Sequence, residues 1–269
     1  MDLGLKGKTA IVTGGGSNIG RAIFLTFAKE GVNLVNAEID EKQGQKVVDE
    51  ANALRAGGRA IVIKTDVTNP DSVKATVEKT LKEFGQIDIL TNVVGWTFDR
   101  LFIEKPREEW QKEVNLNFWS VINCCRAVAD HMIGRKYGKI VNIGSDAGRM
   151  GEFREAVYGA TKGGVIALSK ALAREWGRYS ININVVCPGA TMPEKREHVG
   201  ELSMAGPSGF ARAILDAPPE MKEKMAHAYP LRRMCTPQEV ANGVVFLASD
   251  AASFITGQTL SVSGGYTMM

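Results

Sequence analysis

The chain is 269 residues long, 44% hydrophobic and 23% charged, and its 33 Lys+Arg against 30 Asp+Glu leave a net charge of +3. A chain of this size buries its own core without staples, and so balanced a charge argues against nucleic acid or a membrane surface as a partner. Cys124, Cys125, Cys187 and Cys235 form no CxxC pair and stand apart from His131, His198 and His227, so neither a metal site nor a secreted disulfide framework is expected.

MDLGLKGKTAIVTGG is too poor in apolar residues for a signal peptide, and no apolar run nears the ~18 residues a membrane span needs. A cytoplasmic protein is expected. Along the chain, short β-type runs alternate with helical ones. Residues 9–13 form a strand that ends in a glycine cluster. Residues 21–30 then carry Ile23, Phe24, Phe27 and Ala28 at helical spacing, with Gly31 as the stop. A strand at 32–37 precedes a charged helix over 41–56, closed by Gly57 and Gly58. The run 60–63 leads to Asp66 and Val67, and 71–84 is amphipathic, with Val73, Val77 and Leu81 on one face. Residues 87–94 are apolar again, and a long helix is predicted from 110 to about 134. A strand over 139–143, a second long helix over 157–179, a strand over 181–187 and a last strand over 259–263 complete the pattern.

Near-continuous apolar strands between helices predict an α/β fold, a doubly wound parallel sheet of Rossmann type in a single domain, 1–269. The stretch 190–230, with Pro193, Pro207, Pro218, Pro219 and many charges, breaks the rhythm and reads as a helical substrate lid.

Ligands of such sheets bind at the carboxyl ends of strands. Gly14, Gly15, Gly16, Ser17, Asn18, Ile19 and Gly20 join the first strand to the first helix. Glycines there let the backbone approach a pyrophosphate, and the helix N-terminus favours its charge. Taken alone, the loop is equally a tight strand-to-helix turn. Glu38, 18 residues beyond Gly20, adds a carboxylate suited to both hydroxyls of an adenosine ribose and hostile to a 2′-phosphate. NAD is favoured over NADP.

Tyr158 and Lys162 lie four apart on a predicted helix and share a face. An ammonium beside a phenol favours the phenolate, and such a tyrosine can take a proton from an alcohol or return it to a ketone. Ser145 follows a buried strand, where its hydroxyl can bind the same oxygen. With the glycine loop, Asp66-Val67, Asp88-Ile89-Leu90, Asn115-Leu116-Asn117, Asn142-Ile143-Gly144-Ser145, Tyr158-Gly159-Ala160-Thr161-Lys162, Pro188-Gly189 and Ser263-Gly264-Gly265, the chain resembles the short-chain dehydrogenase/reductase family over essentially its whole length. The resemblance implies a catalytic set of Asn117, Ser145, Tyr158 and Lys162, with Asn117 anchoring a relay water. It implies cofactor contacts from Gly14, Ser17, Asn18, Ile19, Gly20, Glu38, Asp66, Val67, Asn92, Gly95, Tyr158, Lys162, Pro188, Gly189 and Thr191. It also implies a homotetramer built by the long helices and the last strand. Two positions depart from the family pattern. Asn18 stands in place of a loop glycine, and Asn92-Val93-Val94-Gly95 in place of Asn-Asn-Ala-Gly. A non-catalytic subunit of a mixed oligomer therefore stays open beside the enzyme.

Several stretches, among them residues 144–149, 154–158 and 184–189 and the tail through Met268, are similar to dehydrogenases of cyclic β-hydroxyacyl-CoA thioesters such as 2-hydroxycyclohexanecarboxyl-CoA dehydrogenase. That likeness implies NAD-dependent oxidation of a secondary alcohol β to a thioester, in the breakdown of aromatic or alicyclic acids. Substrate contacts are expected from Ser145, Tyr158, Arg149 and Arg154. Lys195 and Arg196 open the lid, where cations suit CoA phosphates. Trp96, Phe98, Met150, Phe153, Met192 and Met204 are candidates for an apolar pocket. Cys187 reads as a small buried residue and His198 as solvated surface. The competing enzymatic reading is a 3-oxoacyl, sugar or steroid reductase.

Overall fold

Val12 and Ala10 face one side of a strand buried at every position, and Ile11 faces the other, so both faces of the sheet must be covered. The computed structural model, which describes residues 2–207, 209 and 211–269, shows how. The strands are β1 (Thr9–Thr13), β2 (Asn33–Glu38), β3 (Ala60–Lys64), β4 (Ile89–Asn92), β5 (Gly138–Ile143), β6 (Ile181–Pro188) and β7 (Thr259–Val262). They form one all-parallel sheet in the order β3-β2-β1-β4-β5-β6-β7. On one face, α1 (Asn18–Lys29), α2 (Glu41–Ala53) and α10 (Pro237–Leu247) share a core with Ala10, Leu34 and Val186. On the other, α3 (Pro70–Phe84), α5 (Ser120–Arg135) and α7 (Ala156–Trp176) close over Ile11, Val35, Leu90 and Ile183. The expected doubly wound α/β fold is the one observed. Strand order reverses between β1 and β4, which opens a crevice at their carboxyl ends.

Three local differences bear on the site. The long helix predicted over 110–134 is in fact α4 (Arg107–Val114) and α5, joined by a π-helical turn at Asn115–Trp119. Such turns cluster at functional sites, and this one carries Asn117. The helix expected over 157–179 ends at Trp176 and finishes in a 3₁₀ turn, Gly177–Tyr179. Sequence periodicity also passed over α10, whose signals are nonetheless plain: Pro237 at its first position and a reciprocal capping box between Thr236 and Glu239. The Glu239 carboxyl is held down at about 2, first by Arg233 and then by the Thr236 N–H.

The 190–230 stretch is helical only in part, with a 3₁₀ turn at Arg196–His198, α8 (Ala211–Leu215) and α9 (Pro219–Ala226). Ser208 and Phe210 within it lie outside the described residues. It leaves the sheet through a bridge between Thr191 and Cys235 and returns where Leu231 N–H donates to the Gly264 carbonyl.

Because α10 packs along α1, and α1 begins at the glycine loop, its cap supports the nucleotide end. Thr236→Ala is expected to cost about 1 kcal/mol and to lower Tm by roughly 2–4 °C in thermal unfolding.

Candidate active site

Parallel strands bring their carboxyl ends to one edge, and the residues singled out from the sequence gather there. The glycine loop follows β1, Glu38 ends β2, residues 93–96 follow β4, Ser145 follows β5, and Pro188 and Gly189 end β6. Gly20 is packed against the turn it closes: a Cβ on it would lie 2.0 Å from the Gly14 carbonyl oxygen. Asn18, at the position where the family pattern has glycine, does adopt a left-handed backbone, φ +43°.

The loop fits a dinucleotide. Ser17 occupies the N-cap of α1 without capping it, so among the described residues no side chain answers the first-turn amides, the groups that attract a phosphate. The buried Oδ1 of Asn18 likewise has no protein partner among the described residues. Glu38 folds back over the loop, where its Oε2 accepts the Gly16 N–H at 3.0 Å. Burial pushes its carboxyl up, while the amides of Gly16, Asp40 and Ile39 hold it down. Asn36 and Gln43, neither anticipated, brace the same loop: Asn36 Oδ1 accepts the Gly15 N–H at 3.0 Å, and Gln43 Nε2 donates to the Gly16 carbonyl at 2.9 Å.

Asp66 Oδ1 accepts both the N–H and the hydroxyl of Thr68, and Asn123 donates to the Val67 carbonyl at 3.1 Å, which sets the turn after β3. Asn92 is turned into the sheet. Its amide donates to Asn142 Oδ1 at 2.8 Å, and Asn142 donates in turn to Ser169 Oγ on α7 at 2.9 Å. This strut steadies the centre of the sheet although Val93 brings no amide of its own. Thr191 Oγ1 donates to the Gly189 carbonyl at 2.9 Å.

At the catalytic end, Tyr158 is 8% exposed and its phenol lies close enough to the Ser145 side chain to feel it. Lys162 stands one turn on, with Nζ 5.6 Å from the centroid of the Tyr158 ring and donating to the Ile143 carbonyl at 2.8 Å. Burial lowers the Lys162 ammonium to about 8. Burial pushes the Tyr158 phenol up, the Glu155 carboxylate adds to that, and the Ser145 side chain opposes it. The expected lowering by Lys162 is outweighed here. The phenol is held protonated.

Asn117 closes the group. Its Oδ1 accepts the Trp96 N–H at 2.9 Å, while its Nδ2 donates to the carbonyls of Trp96, at 2.7 Å, and Glu113, at 2.8 Å. Gly95 must lack a side chain, because a Cβ would lie 2.9 Å from Asn117 Oδ1 and 3.3 Å from Lys162 Nζ.

The expected substrate cations are otherwise engaged. Arg149 donates to Ser261 Oγ at 2.5 Å, and Arg154 forms two bonds of 2.8 Å to the side chain and carbonyl of Asp99. Arg196 pairs with Asp216 at 2.6 Å and Lys195 lies 3.6 Å from Glu197. Trp96 is buried and meets Phe98 edge-on at 6.0 Å, Met192 and Met204 are half-buried, and Phe153 is 74% exposed. The Cys187 thiol, fully buried, is pushed up to about 12 by burial, which suits an unreactive filler. His198 is not the solvated side chain expected: it is 18% exposed, and its carbonyl faces Ser17 Oγ at 3.5 Å. Glu155 was passed over, since one acid just before a helix gives no sequence signal. Burial, then the negative charges of Glu152, Asp99 and Glu113, push it up to about 7. Among the described residues no group of three or more His, Cys, Asp or Glu could hold a metal, and no helix is long and apolar enough to cross a membrane.

Comparison with known proteins gives the same outline. The family model adh_short_C2, described as enoyl-(acyl carrier protein) reductase, matches residues 14–267. The chain is 36% identical over 267 residues to a 3-oxoacyl-(acyl-carrier-protein) reductase FabG of Escherichia coli strain K12, covering 99% of this chain and 100% of the relative. It is 36% identical over 262 residues to reductases of the same name from Staphylococcus epidermidis strain RP62A and Staphylococcus aureus strain N315, covering 97% of this chain and 99% and 98% of those proteins.

Lys162 supplies a stability test with a definite sign. A base lowered from the ordinary 10.5 to about 8 costs the fold on the order of 3 kcal/mol below pH 8, and the cost is relieved as pH rises toward 10.5, where the unfolded chain also loses the proton. Lys162→Met in the nucleotide-free protein is therefore expected to melt higher than the wild type at pH 7, with a gap that narrows between pH 8 and 10. Differential scanning calorimetry across that range checks it.

Proposed function

The chain belongs to the short-chain dehydrogenase/reductase family of oxidoreductases, and we propose that it interconverts a 3-oxoacyl thioester and the corresponding 3-hydroxyacyl thioester with NAD(H). The observation that carries the reading is Tyr158, a buried phenol beside Ser145 with the Lys162 ammonium one turn away. The names of the relatives support the substrate class. The narrower expectation of a cyclic CoA ester gains no such support, and the four cations expected at CoA phosphates already have protein partners.

A bound nicotinamide dinucleotide supplies the hydride donor for reduction and the acceptor for oxidation. The protein's own residues manage the substrate oxygen. Ser145 Oγ orients it by hydrogen bonding. Tyr158, held protonated by burial, gives its proton to a carbonyl oxygen, and in the reverse direction takes the proton from the carbinol. Lys162 stabilises the phenolate left behind, at a range where an ammonium acts strongly in a poorly hydrated site. Asn117 holds the wall of the site and anchors the relay water. Glu38 favours NAD(H), since a carboxylate at the ribose repels a 2′-phosphate. The 190–230 stretch covers the substrate side, with Trp96 and Phe98 as its apolar floor.

Purified protein is expected to oxidise NADH on addition of acetoacetyl-CoA, and more slowly to reduce NAD with 3-hydroxybutyryl-CoA. Tyr158→Phe should lower kcat at least a hundredfold, on the order of a general acid's contribution, while NADH still binds in a fluorescence titration. Undiminished turnover would overturn the assignment. Glu38→Ser should narrow the preference for NADH over NADPH by about tenfold, ~1.4 kcal/mol, and an unchanged ratio would refute its ribose role.

The outer face of α4 and the π turn supports self-association. Trp119, 51% exposed, lines an open groove with Arg107, Trp110, Gln111, Val114 and Asn115, and an exposed tryptophan in such a groove marks a contact surface. Wild-type protein is expected to sediment as a tetramer and Trp119→Glu as a smaller species. A monomeric wild type, or a variant of unchanged mass, would refute this.

A further inference from the structure

Beneath the catalytic residues lies a buried ion pair that the mechanism does not use. Lys105 Nζ stands 2.8 Å from Glu113 Oε1, and the two side chains are 1% and 0% exposed. The same oxygen accepts the Phe98 N–H at 2.8 Å and the Thr97 hydroxyl at 3.1 Å, while Oε2 has no protein partner among the described residues. One turn along, the Glu113 carbonyl accepts the Asn117 amide, and Asn117 grips both the N–H and the carbonyl of Trp96. Residues 96–98 are thus held from two points, the Glu113 carboxylate and the Asn117 amide. Gly95, next in line, sits against Lys162 Nζ.

A buried ion pair is a weak source of stability, because desolvation offsets the attraction and apolar replacements often hold a fold as well or better. An apolar pair cannot, however, accept the Phe98 N–H and the Thr97 hydroxyl. Fixing a wall to within fractions of an ångström is worth most where reacting atoms must be aligned. We propose that Glu113 is a positioning residue for the reaction: its buried carboxyl oxygen fixes residues 96–98, and with them Asn117, against Lys162. Lys105 compensates the carboxylate, and Glu113 supplies the acceptor that holds the wall. The proposal rests on the reading of Ser145, Tyr158 and Lys162 as the reacting set.

The test separates the acceptor from the charge. Lys105→Met/Glu113→Gln removes both charges and keeps an acceptor oxygen for Phe98 and Thr97. Lys105→Met/Glu113→Met removes the charges and the acceptor together and fills similar volume, and Lys105→Met/Glu113→Leu is a second apolar version should the first fail to fold. With acetoacetyl-CoA and NADH, the glutamine variant is expected to keep kcat within about threefold of wild type. The apolar variant should lose roughly ten- to a hundredfold in kcat, with NADH affinity unchanged. Hydrogen–deuterium exchange over residues 96–98 should be faster in the apolar variant alone. Equal kcat and equal exchange in the two variants would overturn the proposal. Should wild-type protein show no turnover with acetoacetyl-CoA, the substrate reading fails and the exchange measurement decides alone: faster exchange only in the apolar variant sustains the positioning role, and equal exchange sinks it.

Discussion

An ammonium held in the interior, with a single backbone carbonyl as its hydrogen-bond partner among the described residues, is the constraint on which the rest of this structure turns. Lys162 is 2% exposed and donates to the carbonyl of Ile143, the last residue of β5. That oxygen is free because the strand ends there and the chain turns toward Ser145, while pairing with β4 and β6 fixes where the end falls. Helix α7 must then lie so that Tyr158 and Lys162 face the same edge, and the Asn92–Asn142–Ser169 strut ties that helix to the sheet's centre. Opposite Lys162 the backbone must come close without a side chain, which only Gly95 allows. Each requirement is cheap alone. Together they exclude most alternative packings of this edge, and a fold that accepts a desolvated cation for the sake of chemistry must find its stability elsewhere, in the two apolar layers.

Elements that bury a continuous face were legible, because burial writes itself into periodicity: β1 to β7, α1, α3 and α7 lie within a few residues of where apolar spacing puts them. The π turn was not. Asn115 to Trp119 are ordinary helix-compatible residues, and their wider turn answers a tertiary demand, the reach of Asn117 to Trp96 across 21 positions. α10 was legible too, from its capping box and from Val240, Ala241, Val244 and Val245 at helical spacing.

In the site, the spacing of Tyr158 and Lys162 and the place of Ser145 after β5 told which residues would meet, whereas their electrostatic setting could not be read from spacing. Tyr158 and Lys162 adjoin as the helix repeat requires, yet the phenol is pushed up, because burial and Glu155 act on it more than the ammonium does. Lys105 and Glu113 are eight apart, and nothing in their spacing announces that both are buried. The arginines failed as markers for the opposite reason. Exposed acids engage Arg154 and Arg196, and the Ser261 hydroxyl engages Arg149, so a count of cations near a mouth is not a count of free ones.

The two halves of the site also share a wall. Ser17 belongs to the glycine loop, yet instead of capping α1 its hydroxyl accepts the Gly200 N–H at 3.0 Å and faces the His198 carbonyl, both in the 190–230 stretch. The far end of that stretch is fastened by Tyr229, whose hydroxyl accepts the Ala190 N–H. Tyr229 stacks on Tyr266, which donates to Glu152 Oε2 at 2.6 Å. A segment pinned at its base by stacked tyrosines and resting midway on the phosphate loop cannot shift without disturbing the loop. The glycine loop and the 190–230 stretch therefore share one hydroxyl. This coupling follows from the cap that Ser17 forgoes: the amides it leaves open are those an anion would take, and the hydroxyl it frees is the one that holds the cover.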